Sequence, residues 1–395
     1  MEFSSSSAFV LENRDRLSKA RVLTVGGASI EHGYTIEGEL DADAKYSTEP
    51  QPRFAGGSSV NHACRLLAMG IDVHPVLPLA KSDPLSETIV SALGAAEKEG
   101  RARYRRGNLQ IRGARLTTPY TTIIRQGGSR AALNEFSTEL MERFRDHGEQ
   151  HLAALAGARR PPDVVMLGHV HADRSPPARG EVGFGGAISE RFLTTSCLEG
   201  ARRYVNFGSA QFRLGTHRWE KLLRDRVSVF QLDIGEVRSF CGDAGLVSRS
   251  LESILDWFRE RCTVVITLER FGAIGQLAGS HEPVAAWPYL LEDVRDSTGA
   301  GDAMGAGIVT AMLAQPFDDG EEPEETRLLK FAAALAFGRV CAAHACTTLG
   351  GASECPTLDA LARFERRETV HLRDGGLTRS VSSHELFLID RAFGH

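Results

Sequence analysis

Six short apolar runs punctuate the chain: RVLTVGG (21–27), DVHPVLPL (72–79), DVVMLGHV (163–170), RYVNF (203–207), VSVFQL (227–232) and TVVITL (263–268). They have the length and continuous hydrophobicity of buried strands. Between many of them lie helical patterns, among them VNHACRLLAMG (60–70), LSETIVSALGAAEKEG (85–100) and SILDWFRERC (253–262). Strands that alternate with helices join in parallel, and a parallel sheet must be covered on both faces. The expected fold class is therefore α/β, three layers around a mostly parallel sheet.

Two stretches break that rhythm. Residues 34–57 and 107–133 are polar, rich in threonine, tyrosine and isoleucine, and punctuated by glycine, with QGGS as a hairpin turn. They suit a small β lid standing off the main sheet, whose open face is compatible with either a homodimer or a monomeric lid. Residues 172–186 and 316–326 have loop composition, residues 1–20 read as a loosely docked extension, and 366–395 as a tail. No linker divides residues 21–365, which read as one domain.

Bulk chemistry narrows the function classes. A net charge of −5 argues against nucleic acid as a partner, and the one basic run, GRARYRRG (100–107), reads as a solvated loop or strand face. Seven cysteines without a C-x-x-C pair indicate neither a disulfide framework nor a zinc ribbon, so a reducing, cytoplasmic setting is expected. Runs of about 18 consecutive apolar residues are lacking, so no membrane partner is expected.

The segment VRDSTGAGDAMGAGIVTAMLAQP (294–316) carries the chemistry. Ser297 or Thr298 can cap a helix whose first turn holds Gly299, Ala300, Gly301 and Asp302 and which Pro316 ends. Free amides at such a helix start bind anions, and glycines let a phosphate approach. A carboxylate there repels phosphate and needs its own reason, which a general base for an attacking hydroxyl supplies. The plainer alternative is an acidic first-turn residue favoured by the helix dipole, with glycines for close packing. No Walker A sequence occurs.

DSTGAGDAMGAG resembles the D-T-x-G-A-G-D signature of the ribokinase-like (PfkB) carbohydrate kinases. Further likenesses follow in that family's order: FAGGSSVNHACRLLAMGIDVHPVLPLAKSD for its Gly-Gly…Asn…Ala helix and Gly-x-Asp loop, LTTPYTTIIRQGGSR for lid strands, VSVFQLDIGEV for the Asn-x-x-Glu segment, and TVVITLERFGAIG for the Thr-Leu-Gly-x-x-Gly turn. The resemblance spans roughly residues 20–360. It implies a ribokinase-like αβα sandwich and transfer of the ATP γ-phosphate to a hydroxyl of a sugar, sugar derivative or nucleoside.

By that resemblance Asp302 is the catalytic base, and Gly299, Ala300 and Gly301 form the anion hole. Glu31, Gly57, Ser58, Asn61 and Arg130 fall on the substrate side, and His169 joins them on a separate ground, since ligands gather at the carboxyl ends of strands in an α/β sheet. Asp233, Glu236, Thr267 and Gly272 fall on the nucleotide side, with Glu236 linked to Mg²⁺ through water. Asp296 and Thr298 match positions that in some members bind a monovalent cation such as K⁺. Departures accompany the match: Glu31 replaces an aspartate, Lys81 and Glu269 replace glycines, and Asp233 replaces an asparagine. Asp233-x-x-Glu236 is also a helix capping box in its own right. His169 and His171, two apart, could converge on a metal or line the substrate site. A catalytically silent, ligand-binding protein on the same fold is the alternative function.

Overall fold

A computed structural model describes residues 5–36, 45–49, 52–104, 109–113, 115–126, 129–158, 160–170, 173, 177–178, 180–206, 213–246, 250–368 and 379–393. Its strands are β1 (Arg21–Val25), β2 (Ser29–Ile36), β3 (Arg53–Gly56), β4 (Asp72–Val76), β5 (Tyr120–Gln126), β6 (Ser129–Glu135), β7 (Val164–Leu167), β8 (Arg202–Asn206), β9 (Val229–Asp233), β10 (Thr263–Thr267), β11 (Ala273–Gln276), β12 (Pro283–Ala286) and β13 (Arg379–Ser380). All six apolar runs are strands of one sheet, in the order β13-β12-β11-β10-β9-β8-β7-β1-β4. From β10 to β4 every pairing is parallel, and β11, β12 and β13 extend the edge in antiparallel fashion.

Side-chain alternation sorts these strands between two cores. Val22, Val164, Met166 and Tyr204 face one layer, containing helices Ser58–Ala68, Ser86–Gly100, Ala300–Ala314, Glu324–Cys346 and Leu358–Glu368. Leu23, Val25, Val165, Leu167 and Val205 face the other, built from helices Thr138–Ala156, Phe184–Thr194, Thr216–Arg226, Ile234–Ala244 and Leu251–Arg259. Period-2 alternation inside runs that are apolar throughout is what a sheet buried on both faces requires. The fold class is thus the α/β sandwich that the apolar runs predict.

Helix Glu324–Cys346 is long and apolar enough to cross a membrane by length and composition, with mean hydropathy 1.4. Counting consecutive apolar residues misses it because Gly338, Arg339 and His344 interrupt the run. Here its apolarity serves packing. A methyl group added to Gly307 would meet Gly338 Cα at 2.9 Å, and one added to Gly338 would meet Ile308 at 2.8 Å and the Met304 carbonyl at 3.0 Å. Two glycines therefore let this helix lie against Ala300–Ala314 almost backbone to backbone.

A second sheet, ordered β3-β2-β5-β6, starts with β2, three residues separating it from the carboxyl end of β1. β2 and β5 run parallel, and β5 and β6 form a hairpin whose ladder reaches Gln126–Ser129. It extends beyond the lid segments read from composition, starting at Ser29 and ending at Glu135, while Ile111 instead bridges Ala80 after β4. The chain termini are built in. The Ser6 and Ser7 amides donate to the buried Glu365 carboxylate at 2.9 Å, and Phe9 and Val10 enter the core. At the other end β13 pairs with β12, and Asp390 accepts from the Leu251 amide at 2.8 Å.

Candidate active site

Helix Ala300–Ala314 begins at Gly299, whose φ of 75° is a left-handed conformation that glycine adopts without a Cβ penalty. A methyl group there would also meet Gly351 Cα at 2.8 Å. The Ala300 amide is turned back to the Ser297 carbonyl at 3.2 Å, which leaves the Gly299, Gly301 and Asp302 amides as the donors of the helix start. Three such donors at the positive end of a helix dipole are able to receive an anion.

Asp302 sits in that first turn with its side chain 16% exposed. Asn61 Nδ2 donates to its Oδ2 at 2.7 Å, and His62 Nε2 lies 3.4 Å from its Oδ1. His62 is fully buried, and burial lowers its pKa from 6.5 to about 4, outweighing the opposing pull of Asp302. At neutral pH it is an uncharged neighbour, so the contact is no ion pair. Asn61 comes from the start of helix Ser58–Ala68, beside Gly57, whose amide donates to Glu31 Oε1 at 3.1 Å. Ser58 Oγ donates to the His169 carbonyl at 3.3 Å. Asn61, expected at the substrate, thus also holds the proposed base.

Two positioning residues escaped the sequence reading. Gln231 on β9 donates from Nε2 to the Gly301 carbonyl at 3.0 Å, and the buried Tyr204 hydroxyl on β8 donates to Gln231 Oε1 at 2.6 Å. Burial and, less so, Asp302 push the Tyr204 pKa well up, so it stays a donor. This relay ties the helix start to two central strands. Only a polar residue inside apolar VSVFQL hints at it.

The strand ends supply the other half of the cleft, as open α/β sheets do. His169 follows β7 and bonds through Nε2 to Asn206 Oδ1 at 2.9 Å, with Glu236 Oε1 at 3.6 Å. Asp233 and Glu236 close a reciprocal capping box at 2.7 and 2.9 Å. Desolvation raises the Glu236 pKa; His169 opposes this, while Asp233 and then Asp302 add to it. Thr267 ends β10, its hydroxyl 3.4 Å from the Leu232 carbonyl, and Gly272 closes the turn after it, packed against the Ala286 carbonyl. Glu269, where the resembled family has glycine, is exposed and left-handed at φ 50°, so its carboxylate faces water while its backbone keeps the glycine-like turn.

Asp296 is held from three sides, by Arg125 Nη2 at 3.1 Å, the Thr298 amide at 3.0 Å and the Gly350 amide at 3.2 Å. Burial opposes its ionisation, yet the bonds from Thr298 and Gly350 and the Arg125 charge hold its pKa below the usual carboxylate range. Arg125 belongs to β5, so this contact ties the lid to the loop ahead of Gly299. Glu31, Phe54, Arg125, Asp296 and Gly350 line a cleft between them. The Arg130 side chain and His171 lie outside the described residues. Among the described residues no group of three or more His, Cys, Asp or Glu side chains could hold a metal ion by itself.

Solved structures share this architecture over most of the chain. Ribokinase from Giardia lamblia superposes with a TM-score of 0.63 at 14% identity, over 87% of this chain and 99% of its own. The chain has a ribokinase-like fold. Arabidopsis thaliana ribokinase complexed with ribose and ATP gives 0.58 at 16% identity over 87% and 98%, and Burkholderia thailandensis nucleoside kinase in complex with inosine gives 0.60 at 15% over 91% and 99%. No protein-family model and no curated protein matches the chain.

Proposed function

We propose that this chain is a phosphotransferase that moves the γ-phosphoryl group of ATP to a hydroxyl of a sugar, sugar derivative or nucleoside. One observation carries the reading: Asp302 is fixed by Asn61 at 2.7 Å in the first turn of a helix whose amides are open to an anion. In this reading the acceptor hydroxyl gives its proton to Asp302 as its oxygen attacks phosphorus. Asn61 holds Oδ2, which leaves Oδ1 for the incoming hydroxyl. The Gly299 and Gly301 amides stabilise charge on the transferred group. His62, neutral, keeps the base from being quenched by a fixed cation. Gln231 and Tyr204 keep the helix start aimed at the cleft, and the lid excludes water that would otherwise take the phosphoryl group.

Glu236 suits an outer-sphere contact with nucleotide-bound Mg²⁺. One of its oxygens is held by the Asp233 amide, and the other, 3.6 Å from His169, is beyond ordinary hydrogen-bond length and can accept from a metal-bound water. The ion would neutralise phosphate charge. At Asp296 the counter-charge is Arg125 of this chain, so the reading needs no K⁺ there.

Asp302→Asn preserves shape and removes the base. Turnover, followed by mass spectrometry as gain of phosphate across pooled sugars and nucleosides, is expected to fall about 10²- to 10⁴-fold with ATP affinity retained. Undiminished turnover would exclude this chemistry. A silent ligand-binding protein is the second reading, favoured by Glu31, whose carboxylate is tied to the Gly57 amide. Thermal stabilisation by nucleotide without phosphorylation of any acceptor in the pool would support it.

A further inference from the structure

The turn that follows β10 is held in a conformation its sequence resists. Glu269, at φ 50°, is a residue with a Cβ in the left-handed region, where that atom crowds the backbone. Such a conformation persists only where the surroundings over-determine it. Within the turn, the Leu268 amide donates to the Gly272 carbonyl at 2.8 Å and the Phe271 amide to the Leu268 carbonyl at 2.9 Å. From outside, the support comes through Phe271. Its residue is 38% exposed, and its ring meets the Phe393 ring edge-on, with centroids 5.5 Å apart and planes at 84°.

Phe393 ends helix Ser383–Phe393, which is anchored elsewhere by other residues. Asp390 accepts from the Leu251 amide, Ser383 Oγ donates to Glu252 at 2.8 Å, and Leu386 and Ile389 are buried in the core. The Phe393 carbonyl in turn accepts from Arg238 Nη2, and Arg238 lies two residues beyond Glu236 in helix Ile234–Ala244. One residue therefore touches both elements assigned to the nucleotide: the 268–272 turn and the helix that begins with the capping box.

We propose that Phe393 is a positioning residue for the nucleotide, one that braces Phe271 and so compensates for the strain of Glu269 in the turn after β10. Its link to ATP rests on the proposed function, whereas the brace itself does not. An edge-to-face aromatic pair shifts a local equilibrium about two- to tenfold, and a Cβ in the left-handed region shifts it the other way by a factor of similar order. Without the brace other turn conformers compete, and apparent affinity falls with the fraction of chain that keeps the competent turn. The effect stays on the nucleotide half of the cleft. The order β10-β9-β8-β7-β1 puts four strand spacings, about 19 Å, between this turn and β1, which leads into the lid.

Two measurements on the full chain test this: amide exchange read by mass spectrometry, and affinity for ATP with Mg²⁺ read by calorimetry. Phe393→Ala should speed exchange across residues 268–272 about three- to tenfold and weaken ATP by a similar factor. Exchange in the helices bearing Asn61 and Asp302, and the melting temperature, should stay as in the wild type, and Phe393→Tyr should keep both readouts. Glu269→Gly removes the strain, so adding Phe393→Ala to it should change neither. A loss in that double variant as large as in Phe393→Ala alone would overturn the compensation, and unchanged exchange in Phe393→Ala would overturn the brace. Faster exchange throughout the chain with a lower melting temperature would make Phe393 an ordinary stabilising contact and overturn its positioning role. Faster exchange in the turn with unchanged ATP affinity would overturn the link to the nucleotide. A wild-type chain that binds no ATP, with exchange responding as expected, would count against the proposed function and for the brace.

Discussion

Substituting His62, buried against the proposed base, isolates one term in the acid stability of this fold. Its pKa is 6.5 when solvated and about 4 in the folded chain, because burial disfavours the imidazolium. Between those values the unfolded chain binds a proton that the folded chain refuses. Stability therefore rises with pH across this window and is lost as pH falls through it. Linkage gives a loss of roughly 0.8 kcal/mol at pH 6 and roughly 2 kcal/mol at pH 5, levelling near about 3.4 kcal/mol below pH 4. His62→Gln removes the titrating group at similar volume. Urea unfolding of both proteins from pH 5 to 8 should show the wild-type advantage shrinking by roughly 2 kcal/mol between pH 7.5 and 5. Parallel curves would mean that His62 is not held neutral, and the reasoning about an uncharged neighbour for Asp302 would fail.

Other consequences follow from single contacts. Asn61→Ala frees the carboxylate that it holds, so turnover should drop about 10- to 100-fold with the melting temperature little changed, which steady-state kinetics and calorimetry would check together. Gly338→Ala forces a methyl group against Ile308 and the Met304 carbonyl, and should destabilise the chain by about 1–3 kcal/mol in chemical unfolding. Arg125→Met removes the ion pair that joins the lid to Asp296, and faster amide exchange in β5 and β6 is the expected result; unchanged exchange would show that the lid is held by its strand pairing alone.

Much of this protein is local and therefore legible. Runs such as TVVITL form strands because a sheet covered on both faces needs apolar residues on both sides of each strand. The helix start at Gly299–Asp302 is equally local, since amides without partners and a glycine in the left-handed region are properties of adjacent residues. What sequence could not determine is which distant side chains complete the site. Asn61 meets Asp302 across 241 positions, Gln231 reaches Gly301 across 70, and Arg125 reaches Asp296 across 171. None of these pairs has a spacing signature, because each is created when β-strands, helix and lid converge. The Glu324–Cys346 helix makes the same point from the other side: by composition it could cross a membrane, and only its packing on Ala300–Ala314 makes it a core helix. Local pattern set the elements and the glycine-rich helix start; tertiary contacts alone decided the protonation of His62 and the orientation of Asp302, since burial and long-range proximity exist only in the folded chain.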